Sequence, residues 1–202
     1  MDQVARPGLH DGSIETPSPL DRLGRAGMIG APMIGLALLL SKFGYIRNTG
    51  QVDGLLSTIY IGGFLCTAIG LRIAGVTGRD KVGTVVSGIQ IAGLVLAIVW
   101  ALLTAVRIPV FFEPLWVITD LAWPFSHLFM LVVGITAWRA RIWTGQPILM
   151  LFVCGSAVPM AMGARQLSGD LGAVIVFAVL TTTPLILIAR KISLGRSVHA
   201  RA

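Results

Sequence analysis

Six stretches of mostly apolar sequence follow one another along this chain, at about 26–45, 54–76, 83–106, 115–138, 147–164 and 171–188. A helix of about 20 apolar residues spans the hydrocarbon of a bilayer, because each residue adds about 1.5 Å. Only a helix or a closed barrel satisfies its backbone polar groups in lipid, and stretches of this length are helical. The fifth is the shortest and contains Ser156, Pro159 and Gly163. All the connections are brief, so neighbouring helices run antiparallel and no extramembrane domain fits between them. Composition points the same way. Of 202 residues, 55% are hydrophobic and 12% charged, where a soluble domain carries about 25% charged residues. The expected fold class is all-α, a polytopic integral membrane protein built as a bundle of six transmembrane helices.

Lysine and arginine gather at the ends of the stretches, and their bias sets orientation. Arg6, Arg22, Arg25, Arg72, Arg79, Lys81, Arg139, Arg141, Arg190, Lys191, Arg196 and Arg201 fall on the tails and the even-numbered loops. Lys42, Arg47, Arg107 and Arg165 fall on the opposite side. This asymmetry places both termini in the cytoplasm and the bundle in the plasma membrane. Residues 1–25 read as a flexible cytoplasmic tail, 26–190 as the transmembrane domain and 191–202 as a basic cytoplasmic tail along the anionic leaflet. The first apolar run ends in Ser41-Lys42-Phe43-Gly44-Tyr45, a poor cleavage site, so it reads as a retained span. Tyr45, Trp100 and Trp116 are expected near the outer interface, and Trp138 and Trp143 near the inner one.

The formal charge of +7 does not indicate nucleic acid, because the basic residues are topological and no basic run is interleaved with aromatics. Cys66 and Cys154 both lie in apolar stretches and form no CxxC pair, so they read as small buried hydrophobes. The partner expected first is the lipid bilayer itself. Small residues recur every fourth position at Gly27, Ala31 and Gly35, at Gly62, Cys66, Gly70 and Ala74, and at Gly93, Ala97, Ala101 and Ala105. Such stripes let helix backbones approach closely. They serve packing within one bundle, or a protein partner or second copy docking on the same faces. A faint internal echo repeats Arg72, Thr77, Gly78, Val86 and Gly88 as Arg139, Thr144, Gly145, Val153 and Gly155, 67 residues later. A shared arginine stop and glycine turn accounts for it as well as a duplicated hairpin does.

Ionisable groups inside lipid are costly and mark candidate sites. The fourth stretch carries Asp120 and His127, seven residues apart and therefore on one helical face, about 10 Å apart along the axis. Asp120 lies near the outer end, within reach of headgroup water, Arg107 or Arg165. His127 lies near the midplane, beside Ser126, with Ser87, Gln90, Cys154, Ser156 and Thr181–Thr183 as candidate partners on other helices. Pro124, between Asp120 and His127, removes a backbone donor and kinks the helix. The candidate polar site is therefore Asp120, His127, Gln90 and Ser126. It reads either as interhelical hydrogen bonding that holds the bundle together or as the lining of a transport cavity.

Several membrane chemistries lack their residues. His10 and His199 are in the tails, which leaves no pair for haem, and Lys42, Lys81 and Lys191 sit at stretch ends, which leaves no Schiff base. Gly155-Ser156-Ala157 is no serine-protease motif, and no ligand spacing suits a metal. Neither catalytic residues nor a cofactor or metal site are expected. The function expected is that of a structural, regulatory or accessory membrane protein without catalytic activity. The alternative is a small transporter or permease around Asp120 and His127.

Overall fold

The computed structural model describes residues 17–47, 50–106 and 113–195. Every regular element among them is a helix: α1 (Pro19–Gly30), α2 (Met33–Lys42), α3 (Gln51–Ile73), α4 (Lys81–Val106), α5 (Glu113–Ala140) and α6 (Gln146–Leu194). Arg6, Arg107, Arg196, Arg201 and the Trp116 side chain, which entered the expectations above, lie outside what is described.

The first helix begins at Pro19, ahead of the apolar run, because a good cap is available there. The Ser18 side chain accepts the Asp21 N–H at 3.1 Å and proline occupies the first helical position, where its missing N–H costs nothing. Asp21 then pairs with Arg25 one turn on, at 3.0 Å. Residues 19–25, expected in the flexible tail, therefore belong to a helix. At Ala31–Pro32 the helix breaks, since Pro32 has no N–H to offer the preceding turn. α1 and α2 together form one apolar stretch of 24 residues.

α6 is 49 residues long, about 73 Å if straight and more than twice the roughly 30 Å hydrocarbon thickness. It does not run straight. Gly169 leaves helical geometry at φ 73° and ψ −169°, a conformation open to glycine and strained for other residues. Gln146, Pro147 and Met150 at one end of α6 line the same crevice as Leu187, Arg190, Lys191 and Leu194 at the other. The arms 146–168 and 170–194 thus lie antiparallel. They pack on different neighbours: Gly155 abuts Leu131 of α5, while Ala189 abuts Gly24 of α1 and Ile192 abuts Gly70 of α3. By length and composition, five helical stretches are apolar enough to cross a membrane: 19–42, α3, α4, 117–140 and α6.

Among the described residues, the ion pairs gather at the two ends of the bundle. At one end Arg139 pairs with Asp80 at 2.5 Å. At the other, Asp170 pairs with Arg165 at 2.9 Å and with Lys42 at 3.6 Å. Between the ends the outward side chains are apolar, among them Val85, Ile89, Leu96, Leu102, Leu128 and Ile175. A belt of this kind is a liability in water and is solvated in lipid. The core is filled by Tyr60, Phe64, Leu94, Met130, Leu151, Leu185 and Ile188.

Two backbones nearly touch where α1 crosses α3. A Cβ added at Gly30 would lie 2.7 Å from the Gly63 Cα, and one at Gly63 would lie 2.8 Å from the Gly30 Cα. Gly54 approaches Ala101 and Ala105 of α4 just as closely. The first and third small-residue stripes therefore lie largely within the bundle, shifted on α1 toward Gly24, Gly27 and Gly30. The second stripe is split: Gly70 meets Ile192, but Gly62 has nothing within 4 Å. Gly63→Ala should lower the melting temperature of the purified protein, since overpacking costs about 1–3 kcal/mol. Gly62→Ala should raise it slightly, because the methyl enters open space and glycine is a poor helix former by about 0.5–1 kcal/mol.

Asp80 caps α4, accepting the Gly83 N–H at 2.9 Å while its other oxygen meets Arg139. The Gly83 N–H foremost, and Arg139 after it, hold this carboxyl below the usual carboxylate range. A pKa lowered by folding stabilises the fold above the unfolded value, about 3.9, and that contribution fades as pH falls through the folded value. Thermal melts across pH should show the wild type above Asp80→Asn near neutrality, with the gap closing as pH falls below the usual carboxylate range.

Candidate functional site

The polar groups of the bundle interior lie on α3, α4, α5 and the second arm of α6. His127, midway along α5, is fully buried. Its Nδ1 is 3.0 Å from the Trp123 carbonyl one turn back, and its Nε2 is 2.5 Å from the Tyr60 hydroxyl of α3. A carbonyl can only accept, so Nδ1 carries the ring proton and Nε2 accepts from the Tyr60 O–H. The neutral imidazole is then satisfied at both nitrogens.

Four aromatic rings enclose the imidazole. Tyr60 stacks on it with ring centroids 5.9 Å apart, Phe64 meets it edge-on at 5.3 Å, and Trp123 and Phe177 tilt against it at 5.1 and 5.4 Å. These residues come from α3, α5 and the second arm of α6, so the cage locks three elements around one side chain. Offset and edge-on aromatic pairs each contribute about 0.5–1.5 kcal/mol beyond their burial.

Gln90 and Ser126 meet beside this cage. The Gln90 Nε2 donates to the Ser126 carbonyl at 3.2 Å, and the Ser126 hydroxyl donates back to the Ala122 carbonyl at 2.7 Å. Gln90 is buried, and its Oε1 has no hydrogen-bond partner. Toward the Asp80 end, the Thr77 and Ser87 hydroxyls pair at 2.8 Å. Most other buried hydroxyls bond back to their own helix, as Thr67 does to Gly63, Thr104 to Trp100 and Thr181 to Phe177. That bonding satisfies them without a partner helix.

Asp120 stands apart. It is exposed on the surface of α5, and among the described residues it has no ion pair with Arg165, which pairs with Asp170. The helical period puts Asp120 on the His127 side of α5, but at this level the buried face of the helix is turned away from Asp120, which is exposed. Thr119 is the buried residue at that level. The structure therefore brings His127, Ser126 and Gln90 together and leaves Asp120 outside.

The partner of His127 is Tyr60, which was absent from the sequence candidates. One signal was available. Tyrosine in a membrane helix favours the interface, where its hydroxyl is wet, whereas Tyr60 falls near the middle of α3 and must find a buried acceptor. A midspan tyrosine and a midspan histidine at matching depth are natural partners. Among the described residues no group of three or more His, Cys, Asp or Glu is placed to hold a metal ion. Comparison with known proteins finds no matching family model, no matching curated protein and no matching solved structure.

Removing the Tyr60 hydroxyl strands the His127 Nε2, and an unsatisfied buried group costs about 1–3 kcal/mol. Tyr60→Phe should therefore lower the melting temperature. In a double-mutant cycle with His127→Leu, the double variant should lose less than the two single losses combined, because no unpaired polar atom remains.

Proposed function

We propose that this chain is a non-catalytic structural or accessory protein of the plasma membrane, crossing it six times with both termini in the cytoplasm. The observation that carries the functional reading is the sealed histidine. A transport or catalytic histidine must exchange protons or bind a ligand, whereas His127 is buried, bonded at both nitrogens and caged by four rings. The reversal at Gly169 supports the sixth crossing. The gathering of Arg22, Arg25, Arg72, Arg79, Lys81, Arg139, Arg141, Arg190 and Lys191 at one end of the bundle supports the orientation, by the positive-inside rule.

The Gln90 Oε1 favours a second reading. An unpaired acceptor in the core demands a donor, and a water or substrate at that atom would make Gln90, Ser126 and His127 part of a small permease site. Asp120 would then serve only at the entrance.

Thermal melting in mild detergent separates the two readings. His127→Ala should melt clearly below the wild type, and Asp120→Asn should melt with it. A His127→Ala variant as stable as the wild type, together with altered solute flux in proteoliposomes, overturns the structural reading, since functional groups are often held at a cost to stability. Topology is checked by placing single cysteines at Thr144 and Ser168 in a chain whose Cys66 and Cys154 are replaced by alanine. Six crossings predict that an impermeant thiol reagent added to intact cells labels Ser168→Cys and spares Thr144→Cys.

A further inference from the structure

We propose that the crevice between the two arms of α6 is a binding site for the phosphate headgroup of an anionic phospholipid. Arg190 and Lys191 line it from the second arm and Gln146 from the first. Among the described residues neither cation has an ion pair, and the acids of this end of the bundle are taken: Asp21 by Arg25 and Asp80 by Arg139. Two cations with no carboxylate to answer them, facing one small cavity, fit a phosphate monoanion. Cations close to an anionic membrane surface contribute about 1 kcal/mol each.

The backbone adds to the field. The crevice includes the first turn of α6, where Gly145 stands at the cap without a side chain. Pro147 has no N–H and the Ile148 N–H bonds the Gly145 carbonyl at 3.2 Å, so it is the helix dipole rather than a row of free amides that faces the crevice. A helix start of this kind favours an anion, and here it lies beside the two cations.

The apolar part of the lining identifies a lipid rather than a free ion. Pro147 and Met150 on one arm face Leu187 and Leu194 on the other. Free phosphate gains nothing from these side chains, whereas the glycerol and first methylenes of a lipid would cover them. The crevice holds about 180 Å³, room for a headgroup and the start of its chains, with the tails continuing along the outer faces of the arms. The proposed topology enters only in assigning the site to the cytoplasmic leaflet.

The test uses the full chain purified in mild detergent, with melting temperature read after adding phosphatidylglycerol, phosphatidylcholine or inorganic phosphate. Phosphatidylglycerol should raise the melting point by about 5 °C at a large excess over its Kd, and phosphatidylcholine should not. Arg190→Gln with Lys191→Gln should abolish the rise, while Arg79→Gln with Arg141→Gln, an equal loss of charge on other loops, should keep it. Met150→Trp fills the apolar half without changing charge and should also abolish the rise, which keeps the test decisive where the double variant inserts poorly. An equal rise with inorganic phosphate overturns the lipid assignment. A rise lost equally in both charge variants, or retained in Met150→Trp, overturns the site.

Discussion

Lipid offers helices no hydrophobic reason to associate, because the hydrocarbon around them is as apolar as their own side chains. What holds this bundle is close packing, and α1 crosses α3 with backbones nearly touching at Gly30 and Gly63. Around that crossing the other contacts find their spacing. Gly24 lets the second arm of α6 reach α1 at Ala189 and Ser193, and Gly70 receives Ile192 from the same arm. Shape therefore does here what burial of apolar area does in water. Gly24, Gly30, Gly54, Gly63 and Gly70 lie on inward faces, while Leu36, Ile89, Leu96, Leu102 and Ile175 face outward, where fit is not required.

Within that scaffold the His127 cage supplies specificity. Packing of small residues alone allows a helix to slide or rotate by a residue at modest cost. A hydrogen bond from Tyr60 of α3 to His127 of α5 fixes both rotation and depth, because a shift of either helix breaks a bond between two buried polar atoms. The surrounding Phe64, Trp123 and Phe177 exclude lipid and water from the bond. Pro124 adds to the same end. With no N–H at Pro124, the carbonyl four residues back, that of Asp120, loses its helical donor one turn before the cage.

Much of the fold was legible because it rests on local properties. Span length, apolar runs and the lysines and arginines at their ends are read one segment at a time, and the helices lie where those runs lie. The start of α1 was missed because the Ser18 cap and the Asp21–Arg25 pair build a helix from polar residues. Gly169 leaves helical geometry between the fifth and sixth apolar runs, though the backbone remains helical up to both sides of it. The site was harder to read, since Tyr60 and His127 are 67 residues apart and their pairing depends on which helices become neighbours. Asp120 shows the limit of a periodicity argument. Seven-residue spacing puts two side chains on one face of a helix, but the buried face shifts along α5, so that Thr119 rather than Asp120 is buried at that level.

The lone Oε1 of Gln90 bears on the same argument from the other side. Its amide cannot be turned to help, because exchanging N and O would set the oxygen against the Ser126 carbonyl and lose the one bond the residue makes. A core stabilised only by packing would gain by replacing Gln90 with leucine, since an unpaired polar group costs about 1–3 kcal/mol. The residue therefore either secures the α4–α5 register through its single bond or holds a donor at Oε1. The first explanation needs only the Nε2 contact to Ser126 and agrees with the fully bonded histidine one residue away. It makes Gln90 the counterpart on α4 of what Tyr60 is on α3: a polar anchor reaching α5 at the depth of the cage, so that the central helix is held from both sides.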